Sequence, residues 1–280
     1  MQMKSLLQVR DLTVRYRPAH SNEHQAISGV SFDIGRGEVL GVMGESGCGK
    51  TSVALALLGL LPKQTVVSGH VDFMGQDVLA MEERRFSKIR GAQISLVSQE
   101  PGIALSPVLR VGDQIAEVVR AHRGWRWNRC RAEAESMLAR VGLGGRNRIY
   151  SAYPNQLSGG QCQRIVLAQA LVCRPALVIA DEPTASLDAR SQSEFLSLLR
   201  QMKDELHVSL LLISHNPETQ ASLADRLMVM ANGRVVEEGR FAELYKHPSH
   251  SCTRSMLSRN PGAQVDGHAR SKTLPEEILA

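Results

Sequence analysis

Along this chain, apolar residues fall into two alternating patterns. Leu7, Val9, Leu12, Val14 and Tyr16 are interleaved with polar residues, as are Val30, Phe32 and Ile34, the period-two mark of half-buried strands. After the turn Gly35-Arg36-Gly37, residues 38–43 form a short apolar run expected of a strand buried on both faces. Similar runs at 94–97, 177–180 and 208–213 are separated by helical periodicity at 50–61, 82–90 and 190–206. Val71 and Phe73 before Gly75 predict a hairpin, and 226–230 with 234–237, turning at Asn232-Gly233, predict another. Between 101 and 155 strand signals vanish, and 111–122 and 130–141 read as helices, the second with Ala132, Met137, Leu138 and Val141 on one face. The pattern predicts an α/β fold: a mostly parallel sheet, antiparallel strands beside it and a helical insertion, with chemistry at the strands' carboxyl ends.

Composition narrows the classes. At 280 residues, 43% hydrophobic and 22% charged, the chain has ample material for a core. Its longest apolar runs, 53–61 and 208–213, are well below the roughly 20 residues of a membrane-spanning helix. The first seven residues lack a secretory signal's apolar core and cleavage site, so a cytoplasmic location is expected. Five cysteines, at 48, 130, 162, 173 and 252, include no C-x-x-C pair, which argues against a disulfide framework and against a zinc or iron–sulfur site. A net charge of +5 permits attraction to nucleic acid, anionic lipid or nucleotide without choosing among them. Arg120, Arg123, Arg126, Arg129 and Arg131, interleaved with Trp125 and Trp127, read either as a nucleic-acid grip or as an exposed helical surface, and the second reading is favoured.

The specific signal is Gly44-Glu45-Ser46-Gly47-Cys48-Gly49-Lys50-Thr51, which satisfies G-x-x-x-x-G-K-[ST] between a predicted strand and a predicted helix. Glycines let successive N–H groups converge on anionic oxygens, and the helix N-terminus adds partial positive charge. Lys50 is placed to reach the β- and γ-phosphates, and the Thr51 hydroxyl to hold Mg²⁺. The apolar strand ending in Asp181-Glu182 supplies the second half: one carboxylate for the metal, the next to orient or deprotonate water. Gln99 and His215 end neighbouring strands and could reach the same pocket. Ser158-Gly159-Gly160 opens a further helix with its N–H groups free.

Leu157-Ser158-Gly159-Gly160-Gln161, followed by Asp181-Glu182-Pro183-Thr184, resembles the signature sequence of ATP-binding cassette (ABC) ATPases, and residues 7–239 resemble that family throughout. The resemblance implies a P-loop NTPase, RecA-like core and a cassette over 1–240 with a helical subdomain at about 101–165. It puts Tyr16 at the adenine-stacking aromatic, Gln99 at the Q-loop with a share in Mg²⁺, Asp188 at the D-loop and His215 at the switch histidine. Gly44, Glu45, Ser46, Gly47, Cys48, Gly49, Lys50, Thr51 and Ser52 would bind ATP in cis. Ser158, Gly159, Gly160 and Gln161 would contact the ATP of a second ATPase subunit, a paralogue or another copy, in a head-to-tail pair.

A narrower resemblance, to the peptide and nickel importer branch, rests on Tyr153-Pro154 before the signature, Gln99-Glu100-Pro101 through Leu105-Ser106-Pro107, and His247-Pro248-Ser249-His250 in the tail. It implies ATP-driven uptake of peptides, nickel or metal chelates through two transmembrane permease subunits, fed by an extracytoplasmic binding protein, with this chain on the cytoplasmic face of the membrane. It further implies a partly flexible extension over 241–280. Cys252, Cys162 and Asn216 depart from the branch's usual tyrosine, arginine and aspartate. Cys252 is the only cysteine after Cys173, so no iron–sulfur cluster is expected, and no nucleic-acid partner either. The competing reading is a non-transport ABC ATPase acting on a soluble complex, as in phosphonate degradation; a phosphate-loop kinase would leave the signature stretch unexplained.

Overall fold

Strand periodicity resolves into two sheets in a computed structural model that describes residues 5–17, 23–145 and 147–258. Most of the expected loop at 20–23 and the tail beyond 258 lie outside these residues. The chain begins with β1 (Leu7–Tyr16), β2 (His24–Ile34), β3 (Val39–Gly44), α1 (Lys50–Leu58), β4 (Thr65–Phe73), β5 (Gln76–Asp77), α2 (Glu83–Phe86) and β6 (Ile94–Val97). A helical stretch follows: α3 (Pro101–Ala104), α4 (Val111–Arg123), α5 (Trp127–Leu138), α6 (Asn147–Ser151) and α7 (Gly159–Leu171). The remainder is β7 (Leu177–Asp181), α8 (Ala189–Leu206), β8 (Ser209–Ile213), α9 (Pro217–Leu223), β9 (Arg226–Ala231), β10 (Arg234–Arg240), α10 (Phe241–Lys246) and α11 (Ser251–Leu257).

The first sheet is antiparallel in the order β2-β1-β4-β5; the second runs β10-β9-β3-β8-β7-β6, parallel except for β10. Because successive strand residues face opposite ways, each central strand feeds two cores. Val178, Ala180, Leu210 and Leu212 pack with α4, α5, α7 and α8, whereas Leu177, Ile179, Leu211 and Ile213 pack with α1 and the antiparallel sheet.

Four stretches differ from their sequence expectation. The helix predicted over 50–61 stops at Leu58 because Gly59 turns left-handed (φ 61°) before Pro62 is reached. The helix predicted over 82–90 shrinks to the single turn of α2. The hairpin strand β9 joins the central sheet parallel to β3, Gly41 opposite Leu227, giving five parallel strands where four were expected. The chain past Gly239, expected as an appendage, folds back as far as it is described: Phe241, Leu244, Met256 and Leu257 form a third core with Met43, Leu227 and Val229. Glu237 anchors this segment by accepting the Ser249 and His250 N–H groups at 2.8 and 2.9 Å.

Candidate functional site

β3 delivers the phosphate loop to the sheet's carboxyl edge, and the loop's shape is imposed by contacts only glycine allows. Gly47 and Gly49 take φ 80° and 105°, and a Cβ on Gly49 would lie 2.6 Å from the Ala26 carbonyl. From the far side the β9–β10 turn donates Gly233 N–H to Cys48 O at 3.2 Å. α1 then starts at a glycine with no side-chain cap, leaving its first N–H groups facing the loop. Lys50 Nζ donates to Gly44 O and Glu45 O at 2.8 and 2.9 Å, which holds the ammonium over the loop. Burial pushes the Cys48 thiol up, against the pull of Lys50.

An open cleft of about 1440 Å³ runs past this loop. Tyr16, Gln99, Asp181, Glu182 and His215 line it together with residues of the loop itself. Tyr16 and Ser52 share a hydroxyl–hydroxyl hydrogen bond of 3.0 Å at one end. Asp181 ends β7 and lines the cleft with Thr51; burial raises its carboxyl and Glu182 adds to the rise, while the Thr51 side chain and Lys50 oppose it. A half-buried carboxylate beside a threonine hydroxyl is hard-oxygen chemistry that fits Mg²⁺ completed by phosphate oxygens and water. Among the described residues no cluster of three or more His, Cys, Asp or Glu forms a metal cage.

Glu182 sits in the left-handed region (φ 45°), the kind of strain that concentrates at functional turns. Its Oε1 accepts the His215 backbone N–H at 2.9 Å and lies 2.7 Å from His215 Nδ1. Its Oε2 accepts the Ser214 hydroxyl at 3.2 Å. The Glu182 side chain is 14% exposed and that of His215 72%, so the carboxylate is held and the imidazole is reachable.

Ser158 caps α7 reciprocally with Gln161: Ser158 Oγ accepts Gln161 N–H at 3.3 Å, and Gln161 Oε1 accepts Ser158 N–H at 3.0 Å. Nothing lies within 4 Å of where a Gly159 Cβ would be, and none of residues 158–161 lines the cleft of its own chain. Asp188 caps α8 through Ser191, whose N–H and hydroxyl hold the carboxyl below its usual range. The structure thus gathers the residues of 44–52 other than Cys48, with Tyr16, Gln99, Asp181, Glu182 and His215, along one cleft and leaves the signature turn and Asp188 outside it.

Sequence reasoning missed the glutamines behind these loops. Gln220, fully buried on α9, donates to Val42 O, Leu212 O and Ser214 O, at 3.2, 3.2 and 3.1 Å. Gln163 on α7 donates to Ser98 O and Pro183 O, and Gln192 on α8 to Thr184 O and Leu187 O. Their only sequence signal is a polar residue at an apolar helical position. It also missed Met256 and Ser258, which line the cleft from the C-terminal segment. The arginine and tryptophan cluster is turned inward on itself: Arg129 stacks 3.6 Å from the Trp125 ring and Arg120 5.9 Å from Trp127. Near Gln99, Ile103, Val108 and Leu109 stand exposed at 81%, 77% and 50%.

Comparison with known proteins agrees with this geometry. A family described as "ABC transporter" matches residues 27–185. The dipeptide transport ATP-binding protein DppD of Bacillus subtilis is 38% identical over 267 residues, 95% of this chain and 79% of that protein. The oligopeptide transport ATP-binding protein OppD of Salmonella typhimurium is 35% identical over 270 residues, 96% of this chain and 80% of that one. The dimeric structure of the ATP-binding cassette MJ0796 bound to ADP and Pi superposes with a TM-score of 0.74 at 26% identity, covering 84% of this chain and 98% of that one.

Proposed function

This chain belongs to the ABC transporter ATP-binding family, and on that premise we propose that it is the ATP-hydrolysing subunit of an import complex that powers uptake of di- or oligopeptides. The single observation that carries the reading is Glu182, fixed by His215 and Ser214 in the cleft that holds the phosphate loop, in a chain whose intact signature turn faces elsewhere. ATP is the substrate, its phosphates on the loop N–H groups and Lys50, its base against Tyr16. Mg²⁺, held by Thr51, Asp181 and Gln99, would neutralise charge on the phosphates during cleavage. Glu182 accepts the proton of the attacking water, and His215, bonded to it, steadies the carboxylate and faces the γ-phosphate.

Nothing stands within 4 Å of where a Gly159 Cβ would be, so the signature turn has room for an anion, which supports its use in trans on a second ATPase subunit. Asp188, capping α8 near that turn, belongs to the same contact between cassettes. Exposed Ile103, Val108 and Leu109 beside Gln99 are an apolar seat for the cytoplasmic loop of one of two membrane subunits. No described helix is long and apolar enough to cross a membrane, so the chain would sit on the cytoplasmic face through that contact, with cargo chosen by the membrane subunits and an external binding protein. Glu182→Gln tests the reading: ATP binding is retained while turnover falls about 10²–10⁴-fold. Near-normal hydrolysis by that variant would refute it.

A further inference from the structure

Gln163 is wholly buried on α7, two residues past the signature turn. Its Nε2 donates to Pro183 O at 2.7 Å and to Ser98 O at 3.3 Å. Pro183 directly follows Glu182, and Ser98 directly precedes Gln99. One amide therefore straps the signature helix to both loops that carry cleft residues. Gln163 Oε1 has no hydrogen-bond partner, and neither has the buried Ser98 Oγ. Unpaired buried polar atoms on two residues already in contact carry a cost that a bond between them would remove.

We propose that Gln163 and Ser98 form a two-position latch that carries occupancy of this chain's own nucleotide cleft to its signature turn, and so to the site which that turn serves on the other cassette. In the first position the Gln163 amide holds Ser98 O and Pro183 O as observed. In the second, as Gln99 is drawn toward the γ-phosphate, the Ser98 hydroxyl donates to Gln163 Oε1, and α7 turns with it. Gln163 touches neither nucleotide nor metal; it is a positioning residue. A two-state element biased from both ends is the physical requirement for coupling two sites. The inference rests on the roles given above to Gln99, Glu182 and the signature turn.

The test uses a full-length pair in which only the other cassette can turn over. Glu182→Gln on this chain silences its own cleft, while its signature turn still serves the unaltered cassette, whether a differently tagged second copy or a paralogue. Adding Gln163→Met, or separately Ser98→Ala, to the silenced chain is expected to lower turnover of the pair on the order of tenfold, with KM for ATP within about twofold. Ser98→Ala only deletes an unpaired hydroxyl, so a purely structural role for this contact would leave turnover untouched. Unchanged turnover in both variants overturns the latch, and so does a loss confined to Gln163→Met. A control lacking the base in both cassettes separates the two failures: persistent turnover there overturns the reading of Glu182, whereas loss there with unchanged variants overturns the latch alone.

Discussion

The phosphate loop and the signature turn are built from the same local grammar, small residues opening onto a helix N-terminus, yet the fold treats them oppositely. Around Gly49 the backbone is enclosed: φ is 105°, the Ala26 carbonyl stands where a side chain would begin, and Lys50 is tied to Gly44 and Glu45. Around Gly159 there is open space, and the side chains of Ser158 and Gln161 bond reciprocally to each other's backbone. An enclosed anion cradle specifies a site by itself. An open one specifies half of a site and needs a second surface to close it.

The largest expected effects probe that division of labour. Lys50→Ala should weaken MgATP binding by the unpaired chain roughly 10²-fold or more in equilibrium titration. Ser158→Arg should leave that affinity within about twofold while lowering turnover of the assembled pair roughly 10²-fold. Weakened binding by unpaired Ser158→Arg chains would erase the distinction between the two cradles.

Stability sharpens the same comparison at smaller amplitude. Gly49→Ala forces a Cβ against backbone in a left-handed conformation and should cost about 2–4 kcal/mol in denaturant unfolding. Gly159→Ala meets nothing and gains helix propensity, so its change should stay within about 0.5 kcal/mol and be favourable. Equal losses at both positions would show that the signature turn is also enclosed.

The smallest effect concerns charge inside the cleft. Burial raises the Asp181 carboxyl above its usual range. A carboxyl whose folded pKa exceeds its unfolded one binds its proton more readily when folded, so the charged form disfavours folding above that pKa. Asp181→Asn should therefore raise the melting temperature of the nucleotide-free chain at pH 7 by about 1–3 °C. That gain should shrink as pH falls through the raised pKa, where Asp181 is itself neutral. A variant that melts lower at pH 7 would show the carboxylate to be net stabilising there.

How far the sequence carries differs from element to element. The buried runs that became β3, β6, β7 and β8 were legible because a doubly covered strand must be apolar throughout, and that is a local property. β9 read only as half of a hairpin because the Asn232-Gly233 turn ties it to β10, although its own run Leu227-Met228-Val229-Met230 is apolar and buried throughout, as a strand with β3 on its other side requires. α2 shortened because within 82–90 only Phe86 and Ile89 are buried, too narrow an apolar face to hold the charged run as a longer helix. Gln163 and Gln220 left no more than a polar residue at an apolar helical position, because their partners are backbone carbonyls, which every residue possesses.

By itself, then, the order of residues determined the phosphate loop, the carboxylates after β7, the signature turn and the alternation that sorts strands from helices. Periodicity, glycine conformations and capping are short-range physics, complete within a few neighbouring residues. Only the tertiary structure decided that His215 binds Glu182, 33 positions away, that Met256 and Ser258 come round to the cleft, and that the signature turn stays out of it. Those arrangements depend on how buried faces pack across the sheet, and packing partners are set by shape and burial summed over the whole chain rather than by any stretch of it.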